Sequence, residues 1–118
     1  MKKIISLLFT TALLISCSET SPEDLVDNTP VLGPVTYNAD IFTIVDSQCL
    51  SCHNDNNASG NNSYSTYSQF RDATENGNVI DRITRSPGDP LLMPQGNQLP
   101  QNSIDLIIQW QMDGYLEN

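Results

Sequence analysis

Cys49-Leu50-Ser51-Cys52-His53 is a C-x-x-C-H pattern in a chain of 118 residues that has three cysteines and one histidine in all. A fold this small buries too little apolar surface to be secure by itself and usually recruits a staple. Three cysteines cannot form a disulfide framework without leaving one over. Two thiols at i and i+3 do reach the two vinyl groups of one haem as thioethers, and the adjacent imidazole is then placed as an axial ligand. A thioredoxin-like pair requires a strand leading into the motif, whereas a helical pattern precedes it here. A structural zinc site requires four ligands, and only Cys49, Cys52 and His53 are at hand. A bare Cys49–Cys52 disulfide closes so short a loop that it constrains the unfolded chain little. The expected cofactor is one covalent haem c.

The third cysteine has its own context. Lys2 and Lys3 precede Ile4 to Ile15, an apolar run broken only by Ser6, Thr10 and Thr11. The run falls short of the ~20 apolar residues of a permanent membrane span and has the flanks of a secretory signal. Leu14-Ile15-Ser16-Cys17 resembles the bacterial lipobox. That resemblance implies cleavage before Cys17 and acylation of its thiol and new amino group; the alternative is an ordinary signal with a chance cysteine. Several acyl chains, at ~0.8 kcal/mol per buried CH2, suffice for stable anchoring. Residues 1–16 are thus expected to be a lipoprotein signal peptide and Cys17 the lipid attachment site. Residues 17–36, acidic and marked by Pro22, Pro30 and Pro34, read as a flexible tether. Such a tether averages roughly 25 Å end to end. Export suits covalent haem attachment. Ser18 in place of an Asp after the anchor favours the outer membrane, on its periplasmic or surface face.

Net charge limits the partners. The chain carries 14 acids against five basic residues, a formal charge of −9. A phosphate-binding footprint is basic, so nucleic acid is excluded as a partner. Loss of residues 1–16 removes both lysines and leaves Arg71, Arg82 and Arg85 against the same 14 acids, a net −11. Redox partners that dock by charge would therefore present basic residues.

Residues 37–118 read as one all-α domain. Asn38 is the expected cap of a first helix whose face carries Ile41, Ile44, Val45 and Cys49. Asn54 to Ser63 holds five Asn and one Gly and reads as a loop. A short helix is expected at 66–74 with Tyr67 and Phe70 inward, and another turn or two at 78–84 presenting Val79, Ile80 and Ile83. Ser86-Pro87-Gly88-Asp89-Pro90 breaks the pattern. The last helix is expected over 101–113, stopped by Gly114, with Ile104, Ile107, Ile108 and Met112 buried and Trp110 on a flank.

With His53 assigned, no second His and no mature Lys is left for the sixth position on iron. Of the methionines after the signal, Met112 falls on a helix face and suits the core. Met93, forty residues after His53, precedes Pro94, which bars helix there and stiffens the chain. Met93 is the candidate distal ligand; the alternative is that it fills the core beneath an open iron. Arg82 and Arg85 are candidates to pair with a haem propionate or are solvated.

These features together resemble a small monohaem class I cytochrome c in bacterial lipoprotein form, over about Asp40 to Leu116. The resemblance rests on C-x-x-C-H after a helix, the Pro-Gly-Asp-Pro break, the Met-Pro loop, and a last helix bearing Trp110 and Gly114. It implies first and last helices packed around the haem, Cys49 and Cys52 as thioether sites, and His53 and Met93 as iron ligands. Many members carry a Gly soon after the motif, where this chain has Asn54-Asp55-Asn56-Asn57. His/Met ligation saturates iron, so the implied function is electron transfer without bond making. The alternative is a haem enzyme or sensor, peroxidase-like or gas-binding, with an open or labile sixth position.

Overall fold

A computed structural model of the chain describes residues 33–118. The expected signal peptide, Cys17 and most of the tether lie outside the described residues. The folded part is mostly helical, with one small two-stranded sheet. A π-helical turn, Tyr37–Ile41, runs directly into α1, Phe42–Gln48. Strands β1 (His53–Asn54) and β2 (Asn57–Ala58) pair antiparallel, with His53 opposite Ala58. Helices α2 (Tyr67–Glu75), α3 (Val79–Ile83) and α4 (Gln101–Met112) complete the order. Among the described residues no helix is long and apolar enough to cross a membrane.

The chain enters this unit earlier than its composition suggests. Val35 is fully buried, and its amide donates to Asp113 Oδ2 at 2.7 Å. Thr36, not Asn38, caps the first helix by accepting the Ala39 amide. Asn38 instead donates from its side chain to Asn118 at 2.7 Å. Thr36 carries the same kind of capping oxygen two residues upstream, and the π-helical turn admits the extra residues before α1.

The asparagine-rich stretch is also more ordered than a loop assignment implies. Asn54 Oδ1 accepts the amides of Asn56 and Asn57, both at 2.9 Å, and so shapes the two-residue turn between β1 and β2. Asn side chains substitute for backbone groups in turns in this way. The hairpin was invisible to pattern because strands of two residues have no alternation to read. Further on, Thr66 and Gln69 form a reciprocal capping box at the start of α2. Gly77 closes that helix where a Cβ would stand 2.5 Å from the Ala73 carbonyl oxygen.

The first and last helical segments pack together around an aromatic cluster. The Trp110 ring stacks on Phe70 at 5.7 Å and lies 5.8 Å from Tyr37. Backbone bonds from Tyr37 to Leu116 and from Asn38 to Glu117 tie the two ends of the domain together. Trp110, expected on a flank of α4, is fully buried, whereas Met112, expected in the core, is 72% exposed. The buried face of α4 is Ile104, Ile107 and Trp110, with Ile108 at its margin. An indole buries far more area than a thioether chain and here finds aromatic partners, so it sets the rotation of the helix. Gly114, at φ 85°, ends α4 as expected.

Candidate functional site

Cys49 sits at the C-terminal end of α1, its amide bonded to the Val45 carbonyl at 2.9 Å. The chain then turns sharply, with the Cys52 and His53 amides both donating to the Cys49 carbonyl at 3.2 and 2.9 Å. This turn divides the two thiols. Cys49 is half-buried against the core, Cys52 is exposed, and both are free. Burial pushes the Cys49 thiol up to about 11, so it stays protonated at neutral pH. Among the described residues no three His, Cys, Asp or Glu side chains gather as a metal cluster.

His53 is held from two sides. Its Nδ1 lies 3.0 Å from the Asn62 carbonyl oxygen. A carbonyl only accepts, so Nδ1 carries the hydrogen and Nε2 keeps the lone pair that a metal requires. The ring stacks on Tyr64 with centroids 4.7 Å apart and planes 25° from parallel. The Tyr64 amide also donates to the His53 carbonyl at 2.7 Å. Neither Asn62 nor Tyr64 stood out in the sequence. Asn62 acts through its main chain, which no side-chain pattern reveals, and Tyr64 is a single aromatic after an asparagine run.

Met93 lies in a non-helical loop, as expected, and is half-buried. The loop is built on Asp89: its carbonyl accepts the Leu92 amide at 3.0 Å and its Oδ1 the Leu91 amide at 2.8 Å. The Met93 amide donates to the Arg82 carbonyl at 3.0 Å, fastening the loop to α3. Neighbouring Leu92 is buried. The C-x-x-C-H residues are thus joined by one local turn, while Met93 is held from α3.

Electrostatics connects these parts. Burial raises the Tyr64 hydroxyl, a Cys49 thiolate would add to this only at alkaline pH, and the Arg82 guanidinium opposes it. The residues fit a haem in their donor set, a thiol pair followed by an imidazole whose Nδ1 is engaged by Asn62; Arg71 Nε and Arg82 Nη1 are buried donors with no partner. An open hollow of about 370 Å³ beside Tyr64 is lined by Tyr64, Asn61, Asn62, Asp72 and Asn76 among others, and includes none of the motif residues. No family model matches the chain, and no curated protein or solved structure matches it.

Proposed function

We propose that this chain is an electron carrier, a lipid-anchored exported protein with the fold of a small class I cytochrome c. One haem c would be bound covalently through Cys49 and Cys52, with His53 and Met93 on its iron. The observation that carries this reading is the turn after α1. It presents two unpaired thiols three residues apart and then an imidazole whose Nδ1–H is already engaged by Asn62.

When bound, the haem supplies a one-electron ferrous/ferric couple. The chain supplies the rest. Cys49 and Cys52 are free thiols and would hold the haem as thioethers. The Asn62 carbonyl holds His53 in the tautomer with a free Nε2 and makes the ring a stronger donor. Tyr64 fixes the ring plane. Met93 provides a thioether, which raises the potential relative to a second nitrogen ligand. Phe70, Ile83, Leu92 and Ile107 are buried and Tyr67 and Ile80 half-buried, and such apolar residues would shield a haem from water. Held by His53 and Met93, such a group would take one electron from a reduced protein partner and pass it to an oxidised one. Cys17 would hold this domain at the outer membrane, on its periplasmic or surface face, and the acidic surface favours basic partners, so electron transfer should slow as salt rises.

A pyridine haemochrome assay on the exported protein is the test. One covalent haem per chain is expected, and none in the Cys49→Ala, Cys52→Ala double variant. The ferric protein should show a weak long-wavelength sulfur-to-iron band that Met93→Leu abolishes. No covalent haem in the native chain would sink the proposal. High-spin ferric iron would transfer it to an enzyme or sensor with an open sixth position.

A further inference from the structure

Asn54-Asp55-Asn56-Asn57 follows the motif directly, and one of its side chains reaches beyond the turn it sits in. Asp55 stands exposed between β1 and β2, and its Oδ1 accepts the Ser63 hydroxyl at 2.6 Å and a Gln69 Nε2 hydrogen at 3.1 Å. Its own amide donates to Ser65 Oγ at 3.1 Å. The two serine oxygens are 3.3 Å apart. Each hydroxyl has one hydrogen and a carboxylate oxygen only accepts, so the directions are fixed. Ser63 spends its hydrogen on Asp55, and Ser65 therefore donates to Ser63. The bonds run from the Asp55 amide to Ser65, on to Ser63 and back to the Asp55 carboxylate, a cycle that begins and ends at one residue. Hydrogen bonds linked head to tail in this way strengthen one another.

Ser63 and Ser65 flank Tyr64, so the cycle brackets the residue whose side chain stacks on His53 and whose amide donates to the His53 carbonyl. Asn62, whose carbonyl engages His53 Nδ1, is the residue just before the bracket. Gln69 extends the hold to α2, because its Oε1 accepts the Thr66 amide in the capping box. We propose that Asp55 is the positioning residue of the His53 site: by closing the cycle it seats the Asn62 carbonyl and the Tyr64 ring against the imidazole, and so sets how strongly His53 donates to iron. The proposal rests on the haem reading above. Asp55 acts through residues 62–65 and makes no hydrogen bond of its own to the imidazole. An imidazole that donates from Nδ1 is the stronger ligand and favours ferric iron, so a loosened Asn62 carbonyl raises the potential.

The test uses the full exported chain with Asp55→Ala, Asp55→Asn and Ser63→Ala, each first assayed for covalent haem. The readings are the midpoint potential and, in the reduced protein, the solvent exchange of the His53 Nδ1 proton, a single signal because the chain has one histidine. Asp55→Ala opens the cycle and removes a charge. Its Nδ1 proton should exchange about tenfold faster, the ratio that one ordinary hydrogen bond represents, and its potential should rise. Asp55→Asn removes the charge but keeps an oxygen for Ser63 and Gln69, so it should exchange at the native rate with a smaller rise in potential. Ser63→Ala opens the cycle and leaves the charge; it should match Asp55→Ala in exchange. Native exchange in a loaded Asp55→Ala chain overturns the proposal, even where the variant is less stable, since the cycle is then structural only. Exchange as fast in Asp55→Asn as in Asp55→Ala also overturns it, because charge and not the cycle is then at work. Should Asp55→Ala fail to accumulate, Ser63→Ala decides alone: fast exchange upholds the proposal and native exchange overturns it. A native chain without covalent haem defeats the cofactor reading and this proposal together, a result distinct from a haem-loaded chain indifferent to Asp55.

Discussion

Replacing Trp110 by Ala should remove a large share of the stability of this domain. The indole is fully buried, stacked on Phe70 and edge-on to Tyr115 at 5.1 Å. Burial of ~200 Å² at about 25 cal/mol per Å² corresponds to ~5 kcal/mol, an upper value because the unfolded chain already hides part of that area. Large-to-small substitutions of buried aromatics lose about 3–5 kcal/mol, so ~4 kcal/mol is the working figure. The Nε1–H bond to the Leu116 carbonyl, 2.8 Å long, adds less. That carbonyl also receives the Tyr37 amide, so it is not orphaned when the indole goes. A domain of roughly 85 residues has ~4 to 13 kcal/mol in total. Trp110→Phe keeps the ring on Phe70 and should lose only about 2 kcal/mol, the bond plus part of the area. Trp110 is the one tryptophan, so unfolding in urea is followed by far-UV circular dichroism and not by its emission. With a slope of about 1 kcal/mol per M, the midpoints should fall by ~4 M for Ala and ~2 M for Phe. A shift under ~1 M for Ala would refute the packing argument. Equal shifts for Ala and Phe would show that the hydrogen bond, not the aromatic cluster, carries the effect.

Three further outcomes follow from the same contacts. Asp89 has its pKa lowered, first by the Leu91 amide and then by Arg85. A lowered carboxylate contributes stability fully above its unfolded value of 3.8 and loses it as pH falls through the folded one. The stability curve of Asp89→Asn should therefore be flatter than the native curve below about pH 4. Met112→Ala, at a site 72% exposed, should change stability by less than ~0.5 kcal/mol in the same urea assay. Cys17→Ser should release the protein from membranes into the soluble fraction on fractionation, with haem content unchanged; retention in the membrane fraction would show that Cys17 is not the anchor.

Much of the helical frame was legible before any coordinates. The 66–74 helix, the 78–84 turn and the last helix announce themselves through apolar spacing and, for the last, a terminal glycine. These are signals carried by neighbours in the chain. The errors share a different cause. Met112 misled because periodicity marks a broad apolar stripe without saying that Trp110, and not Met112, meets Tyr37 and Phe70. Val35 and Thr36 looked like tether because prolines surround them, and only the Asp113 carboxylate, far along the chain, draws Val35 in. The Asn54–Ala58 hairpin depends on side-chain bonds that composition records merely as asparagine.

The candidate site divides along the same line. Sequence by itself determined the reactive groups: two thiols at a fixed interval, an imidazole beside them, and a methionine held before a proline. It could do so because covalent spacing is local and needs no fold. Only the tertiary structure decided the tautomer of His53, through the Asn62 carbonyl, and the plane of its ring, through Tyr64. It also separated two arginines that composition leaves equivalent. Arg85 closes on carboxylates one helical turn to either side, whereas Arg82 turns a donor inward where no acceptor of the described chain awaits it. The Arg85 pairs lie four residues away on either side and are local, whereas the burial of Arg82 Nη1 is a tertiary property.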